Sequence, residues 1–160
     1  MHKEEDMENP VVSSVTHDPA TCVIKLFPAP FGSEFLANLF EKLSESGCVV
    51  DIITQSHNDK GQRLAFSVRE EDKLKAQEVA AELVKDGDVE VLDSLAKVSV
   101  IGVGMANHPG VAARFFRTLE STKAKVHLVT TSDIKISAVI EKKALDIVAK
   151  ALHSEFGLDA

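Results

Sequence analysis

The order of hydrophobic and polar residues predicts strands and helices along the whole chain. Short apolar runs rich in β-branched residues predict strands at 11–16, 22–27, 48–56, 64–68, 89–92, 98–103, 126–132 and 134–140. Apolar residues spaced three and four apart predict amphipathic helices at 33–46, 71–85, 109–122 and 142–156. The turn-forming sequence His17-Asp18-Pro19 predicts that the chain turns between the first two strands.

The two halves of the chain repeat one order of elements. The stretch 21–56 aligns with 97–132 without a gap. Helix-core and strand positions then match: Ala37 with Ala113, Phe40 with Phe116, Leu43 with Leu119, Val50 with Val126, Thr54 with Thr130 and Ser56 with Ser132. We therefore predict an α+β fold of two tandem ferredoxin-like βαββαβ units. The second copy ends after its last helix, so we expect the N-terminal strand at 11–16 to complete the second unit.

The composition of the chain excludes several classes of protein. A net charge of −7 and the absence of Tyr and Trp argue against nucleic-acid binding, which needs cations for phosphates and aromatic side chains for bases. No apolar run is long enough to span a membrane, and the acidic start MHKEEDMENP resembles no targeting peptide, so we expect a cytoplasmic protein. Cys22 and Cys48 have neither metal-binding nor redox spacing, and we expect both to be inert core thiols.

The loop between the first strand and first helix of each unit is the place where such a fold can bind an anion. In the second unit this loop joins Gly104 to Gly110, and backbone N–H groups at the helix start favour a carboxylate or phosphate. A capped helix with nothing bound is equally compatible with the loop alone. In the first unit Glu34 stands where Gly110 stands, so we expect its carboxylate to satisfy the helix dipole and repel an anion.

No catalytic residues, metal site or cofactor are predicted in this chain. The six His residues lack ligand spacing, and no phosphate-binding or nucleophile motif is present. The run of hydroxyl residues at 130–133 is explained by hairpin-turn chemistry. An acylphosphatase-like hydrolase on the same fold would need an Arg and an Asn in one phosphate loop, and no loop has both.

Three stretches of the second unit resemble a known family. The C-terminal regulatory region of aspartate kinases, a tandem pair of amino-acid-binding ACT domains, contains stretches similar to AKVSVIGVGMANHPGVAARFFRTL, VTTSDIKISAVI and ALHSEFGL. The resemblance covers residues 11–158 and is more specific in the second unit than in the first. It implies a first ACT domain at 20–94 and a second ACT domain formed by 11–18 with 95–158. The acidic stretch 1–10 lies outside it, and we expect these residues to be a disordered N-terminus.

The resemblance also implies a set of effector-binding residues. In the second unit they are Met105, Asn107, His108, Pro109, Gly110, Val111, Ala112, Val126 and Ser132; in the first they are Asp51 and Gln55. Two differences from the family pattern stand out. Ala106 and Asn107 replace a basic residue and a hydroxyl residue, and 31–34 (Phe-Gly-Ser-Glu) replaces an Asp-Lys-Pro-Gly-like loop. A site shared between Asp51, Gln55 and the second unit is compatible with these differences.

The function implied by the resemblance is feedback regulation of an aspartate kinase, an ATP-dependent phosphotransferase that acts on a carboxylate. Lysine or threonine would bind between ACT units of a homodimer, and the kinase catalytic domain or subunit would be the partner. We expect the effector carboxylate on the N–H groups of Gly110 and Val111, and its ammonium on backbone carbonyls with Asp51 or Gln55. The alternative is an ACT pair that binds no amino acid and serves only for dimerisation and docking.

Overall fold

The computed structural model describes residues 11–85 and 88–158, so the predicted acidic N-terminus lies outside the described residues. The elements follow one another as β1 (Ser14–Ala29), α1 (Ser33–Glu45), β2 (Val50–Asn58), β3 (Gly61–Arg69), α2 (Lys73–Leu83), β4 (Val89–Ile101), α3 (Gly110–Ser121), β5 (Val126–Thr131), β6 (Lys135–Glu141) and α4 (Leu145–Glu155). Short 3-10 turns precede α2, α3 and α4. No helix among these residues is long and apolar enough to cross a membrane.

The chain divides into two compact units. The first unit is Asp18–Ala96, and the second comprises 11–17 with 97–158 among the described residues. The strand order is β2-β3-β1-β4 in the first unit and β1-β4-β6-β5 in the second, with two helices in each. The predicted α+β fold of two ferredoxin-like βαββαβ units is therefore confirmed.

The predicted turn at 17–19 is wrong, because β1 continues through it from Ser14 to Ala29. Pro19 fits an extended strand, since its ring requires a φ that strands also adopt. The Asp18 carboxylate accepts a hydrogen bond from the Ala20 N–H at 3.0 Å. A local side chain thus satisfies a backbone group that a strand partner would otherwise bind, and residues 16–20 remain exposed.

The two strands predicted at 89–92 and 98–103 also form a single strand, β4. It bends at Ser94, a non-glycine residue with a φ of 55°, rather than stopping there. At its other end β4 stops at Ile101, two residues earlier than predicted. Val103 lies in the following turn and is 86% exposed, so its apolar side chain does not belong to the strand.

The repeat continues beyond the stretch that aligns without a gap. In the first unit Val50 pairs with Val68, and in the second Val126 pairs with Ile140. The second hairpin is therefore shorter, and the alignment moves after it so that Val68 corresponds to Ile140. In this later register the first residue of α2, Lys73, aligns with the first residue of α4, Leu145.

The two cores keep their volume by exchanging large and small residues. Phe66 of β3 is fully buried in the first core together with Ala76 and Ala80 of α2. The corresponding residues of the second unit are Ala138, Val148 and Leu152, and all three are fully buried. A large strand residue with small helix residues in one unit is thus replaced by the opposite combination in the other, which preserves close packing.

The N-terminal segment packs against the end of β4 in the second unit. The Ser13 N–H donates to the Ile101 carbonyl at 2.7 Å, and the Ser13 Oγ donates to the same oxygen at 3.2 Å. A Cβ atom built on Gly102 would overlap the Val11 carbonyl oxygen. Only glycine allows this approach of two backbones, so Gly102 allows residues 11–13 to pack against the end of β4.

We predict that Gly102→Ala lowers the free energy of unfolding by about 1–3 kcal/mol, because the added methyl group must displace Val11. Chemical denaturation monitored by circular dichroism measures this change. Gly110→Ala is the matched control, since a Cβ atom there meets no atom within 4 Å. Equal stabilities of the two variants would contradict the close contact at Gly102.

Both cysteines are buried in the first core, as expected. Burial raises the pKa of the Cys22 thiol to about 11, although the Lys73 ammonium acts in the opposite direction. Burial also raises the pKa of the Cys48 thiol, and the Asp72 carboxylate adds to this effect. Since only a thiolate attacks electrophiles readily, both side chains are poor nucleophiles near neutral pH.

We predict that the folded protein resists thiol-specific reagents at pH 8. Labelling with Ellman's reagent should be roughly a hundredfold slower than in guanidinium chloride, because the thiolate fraction and the access of the reagent are both reduced. Absorbance at successive times measures both rates. Rapid labelling of one thiol in the folded state would show that this side chain is accessible.

Candidate functional site

The loop between β4 and α3 in the second unit spans residues 102–109. Gly104 has a left-handed φ of 74°, a conformation that favours glycine. A 3-10 turn follows at Met105–Asn107, and the Asn107 N–H donates to the Gly104 carbonyl at 3.0 Å. Pro109, with a φ of −63°, precedes the first residue of α3, Gly110. Proline is favoured at a helix start, because the N–H that it lacks would have no partner there, and this explains why α3 begins here.

Seven of the predicted site residues lie on this loop or in the first turn of α3. Met105 and Val111 are buried, and His108 is half-buried. The exposed residues are Asn107, Pro109, Gly110 and Ala112. The structure thus gathers these seven residues into one surface feature, with two apolar side chains buried beneath it.

Gly110 is the residue of this feature that the fold does not explain. It has a helical backbone, and a Cβ atom built on it would meet no atom within 4 Å. Among the described residues, no side chain caps this helix start and no acidic residue lies in its first turn. Neither conformation nor packing requires glycine here, and its small size leaves the N–H groups at the helix start accessible to an anion.

The arginine nearest to this helix start along α3 is already engaged. The Arg114 Nε donates to a Glu155 carboxylate oxygen at 2.8 Å, and an Arg114 Nη donates to the Glu155 carbonyl at 2.6 Å. The guanidinium also lies 4.6 Å from the centre of the Phe156 ring. Arg114 therefore connects α3 to the end of α4, and attraction of an anion at Gly110 depends on backbone groups.

Ser132 lies near this loop, whereas Val126 does not. The Gly102 N–H donates to the Ile134 carbonyl at 2.8 Å, which brings the β5–β6 turn beside the start of the loop. Within that turn the Ser132 Oγ accepts from the Ile134 N–H at 3.4 Å, the turn role expected of a hydroxyl residue. Val126 is at the other end of β5, separated from Ser132 by about 20 Å of extended chain.

The equivalent loop of the first unit is much shorter. Only residues 30–32 connect β1 to α1, whereas residues 102–109 connect β4 to α3. Gly32 has a φ of 102°, so this tight connection requires glycine. Glu34 is exposed in the first turn of α1 and places a negative charge at the helix start. The two helix starts therefore differ in both space and charge.

A cavity of about 580 Å³ lies beside the short loop of the first unit. Its walls come from the end of β1, the β2–β3 turn and the end of α2. The charged residues that line it are Lys60, Glu82, Lys85 and Asp88. Cations and anions are equal in number there, so the cavity has no net preference for an anion.

Gln55 on β2, a predicted site residue, is held by Gln62, which the sequence did not indicate. Its Nε2 donates to the Gln62 Oε1 at 2.6 Å, and the Gln62 Nε2 donates to the Pro30 carbonyl at 2.7 Å. The rings of Phe31 and His57 add an edge-to-face contact, with 6.4 Å between their centres. The short loop is thus fastened to both β2 and β3. The sequence carries no signal for this, because the burial of Gln62 and its contacts exist only in the folded chain.

Asp51, the other predicted site residue of the first unit, is exposed near the start of β2. The extended strand between them places it about 13 Å from Gln55. One ammonium group can therefore contact Asp51 or Gln55, but not both. Among residues 11–85 and 88–158, no group of three or more His, Cys, Asp or Glu side chains could hold a metal ion.

Comparison with known proteins identifies similar sequences over nearly the whole chain. An ACT domain family model matches residues 98–156, within the second unit. The aspartokinase of Pseudomonas aeruginosa is 35% identical over 99% of the chain, and that of Thermus thermophilus is 32% identical over 98%. The chain spans 39% and 40% of the length of these two curated relatives.

Solved structures give the same result. The ligand-free regulatory subunit of aspartate kinase from Thermus thermophilus matches with a TM-score of 0.81 and 31% identity, covering 91% of this chain and 99% of that one. The aspartate kinase from Synechocystis matches with a TM-score of 0.86 and 35% identity, covering 94% of this chain and 28% of that one. The chain belongs to the family of ACT-domain regulatory parts of aspartate kinases.

Proposed function

We propose that this chain is an amino-acid-binding regulatory module that senses lysine or threonine and thereby controls an aspartate kinase in the synthesis of aspartate-family amino acids. The observation that supports this most strongly is the start of α3. Gly110 leaves uncapped backbone N–H groups accessible, although neither the fold nor the packing requires glycine there. The equivalent helix of the first unit, α1, has Glu34 at the corresponding position, so the formation of a helix there does not require glycine.

In this proposal the effector carboxylate binds at the start of α3, where the helix dipole favours its negative charge. The Val111 N–H, which the sequence suggested as a donor, already donates to the His108 carbonyl at 3.2 Å. The N–H groups of Gly110 and Ala112 would therefore bind the carboxylate. Half-buried His108 and exposed Asn107 line the same loop and supply polar groups for the rest of the ligand. Binding that favours one arrangement of the module would then change the activity of the kinase to which it is joined.

We further propose that two copies associate through β5, the strand at the edge of the second unit. An edge strand presents unpaired backbone groups that a second copy can pair with. Val126 and Val129 of β5 and Phe116 of α3 are each more than a third exposed, and exposed apolar side chains at a sheet edge are typical of an interaction surface. Pairing of two such edges would bury them.

A second candidate function is an ACT pair that only dimerises and docks on a kinase. The first-unit loop supports it, because its short length and the charge of Glu34 leave no open helix start there. A thermal shift experiment with lysine, threonine and methionine separates the two candidates. A ligand that binds the folded state must raise the melting temperature, whereas a docking subunit would respond to none of them.

We predict that Gly110→Glu weakens effector binding about tenfold or more relative to Gly110→Gln. A like charge about 4 Å from the carboxylate near a protein surface costs on the order of 1–4 kcal/mol. Isothermal titration calorimetry with lysine and with threonine measures the dissociation constants. Gly110→Gln has the same size without the charge, so equal affinities of the two variants would contradict a carboxylate site at Gly110.

We predict that Val129→Lys converts the dimer to monomers at micromolar concentration, because a charge would be buried between the two edges. Light scattering after size-exclusion chromatography measures the mass. Ile147→Lys is the matched control, since Ile147 is also exposed but lies on α4. A dimer that persists in Val129→Lys, or a wild-type monomer, would rule out association through β5.

A further inference from the structure

Gln62 is the most deeply buried carboxamide of the first unit, with only 1% of its surface exposed. Both ends of its side chain are used. The Nε2 donates to the Pro30 carbonyl at 2.7 Å, and the Oε1 accepts from the Gln55 Nε2 at 2.6 Å. A buried polar side chain with all its strong partners in place is conformationally fixed, so Gln62 connects the β1–α1 loop to β2.

The orientation of both carboxamides follows from one backbone group. A carbonyl can only accept, so the end of Gln62 that faces Pro30 must be its NH₂ group. The opposite end, the Gln62 oxygen, must then face Gln55, and an oxygen can only accept from the Gln55 NH₂ group.

The consequence lies at Gln55, whose side chain is exposed. Its NH₂ group donates to Gln62, so its oxygen is the end of the carboxamide that this hydrogen bond does not use. An oxygen acceptor at this position favours a hydrogen-bond donor such as an ammonium group and disfavours a carboxylate. The buried Gln62 thus determines which chemical group the exposed Gln55 can bind.

The second unit lacks this arrangement. In the register that aligns Val50 with Val126, Gln55 corresponds to Thr131. After the shorter hairpin, in the register that aligns Val68 with Ile140, Gln62 corresponds to Ile134. Ile134 is 55% exposed and has no carboxamide. The pair of glutamines is therefore not a requirement of the fold, since the other copy forms the same hairpin without it.

We propose that Gln62 is a positioning residue for effector binding, which turns the Gln55 carboxamide so that its oxygen receives the ammonium group of an amino acid. This inference rests on the proposed function. It adds the residue that orients Gln55 and the polarity of the ligand group that Gln55 accepts.

A double-mutant cycle tests whether Gln62 acts through Gln55. Calorimetry is done with the amino acid that binds the wild type, on Gln62→Met, Gln55→Met and the double variant. We expect Gln62→Met to weaken binding about fivefold in the wild-type background and less than about twofold in the Gln55→Met background, because a positioning effect needs its target. Equal losses in both backgrounds would mean that Gln62 acts only on the structure, and would overturn the proposal.

A second measurement needs neither a variant nor an effector. In the wild type, hydrogen exchange of the Gln55 side-chain NH₂ group, followed by NMR, should be slower than that of Gln77, an exposed glutamine on α2. Equal exchange rates would show that Gln55 is not held and would overturn the proposal even if Gln62→Met fails to fold. If the wild type binds no amino acid, the proposed function fails and the assigned ligand fails with it, while slow exchange would still establish the orientation of Gln55.

Discussion

The second unit depends on one close contact between two backbone segments. Residues 11–13 lie against the end of β4, where the Ser13 N–H donates to the Ile101 carbonyl. The Val11 backbone lies so close to Gly102 that no side chain would fit at position 102. This contact fixes the chain just before β1, whose first residues, Ser14–His17, belong to the second unit. It also marks the point at which the loop 102–109 departs from the sheet, so the position of Gly110 depends on a segment far earlier in the chain.

The two units show how a repeat can retain its fold while its chemistry changes. Their cores exchange large for small side chains at Phe66 and Ala138 and keep the same packing. Their first loops have diverged instead. One is a tight connection followed by Glu34, and the other is a longer loop that leads to an uncharged helix start. Close packing constrains both cores, whereas the proposed binding role requires an open helix start in only one unit.

The first unit has a different kind of polar feature. Its short loop is held by Gln62 through the Pro30 carbonyl, and the same side chain orients Gln55 at the surface. Because each hydrogen bond joins a donor to an acceptor, the Pro30 carbonyl determines the orientation of the Gln62 carboxamide, and Gln62 in turn determines that of the exposed Gln55 carboxamide on β2. Under the proposed function this orientation would matter, since every α-amino acid offers both a carboxylate and an ammonium.

The sequence by itself determined the repeat, most of the order of helices and strands along the chain, and the helix start at Pro109-Gly110, because apolar periodicity and helix-start preferences are local properties. It did not reveal that β1 and β4 run without interruption through Pro19 and Ser94, since local turn preferences there are outweighed by the extended path of the strands. Gln62 could not be recognised either. Its role comes from contacts with Pro30 and Gln55, which only the folded chain brings within hydrogen-bonding distance.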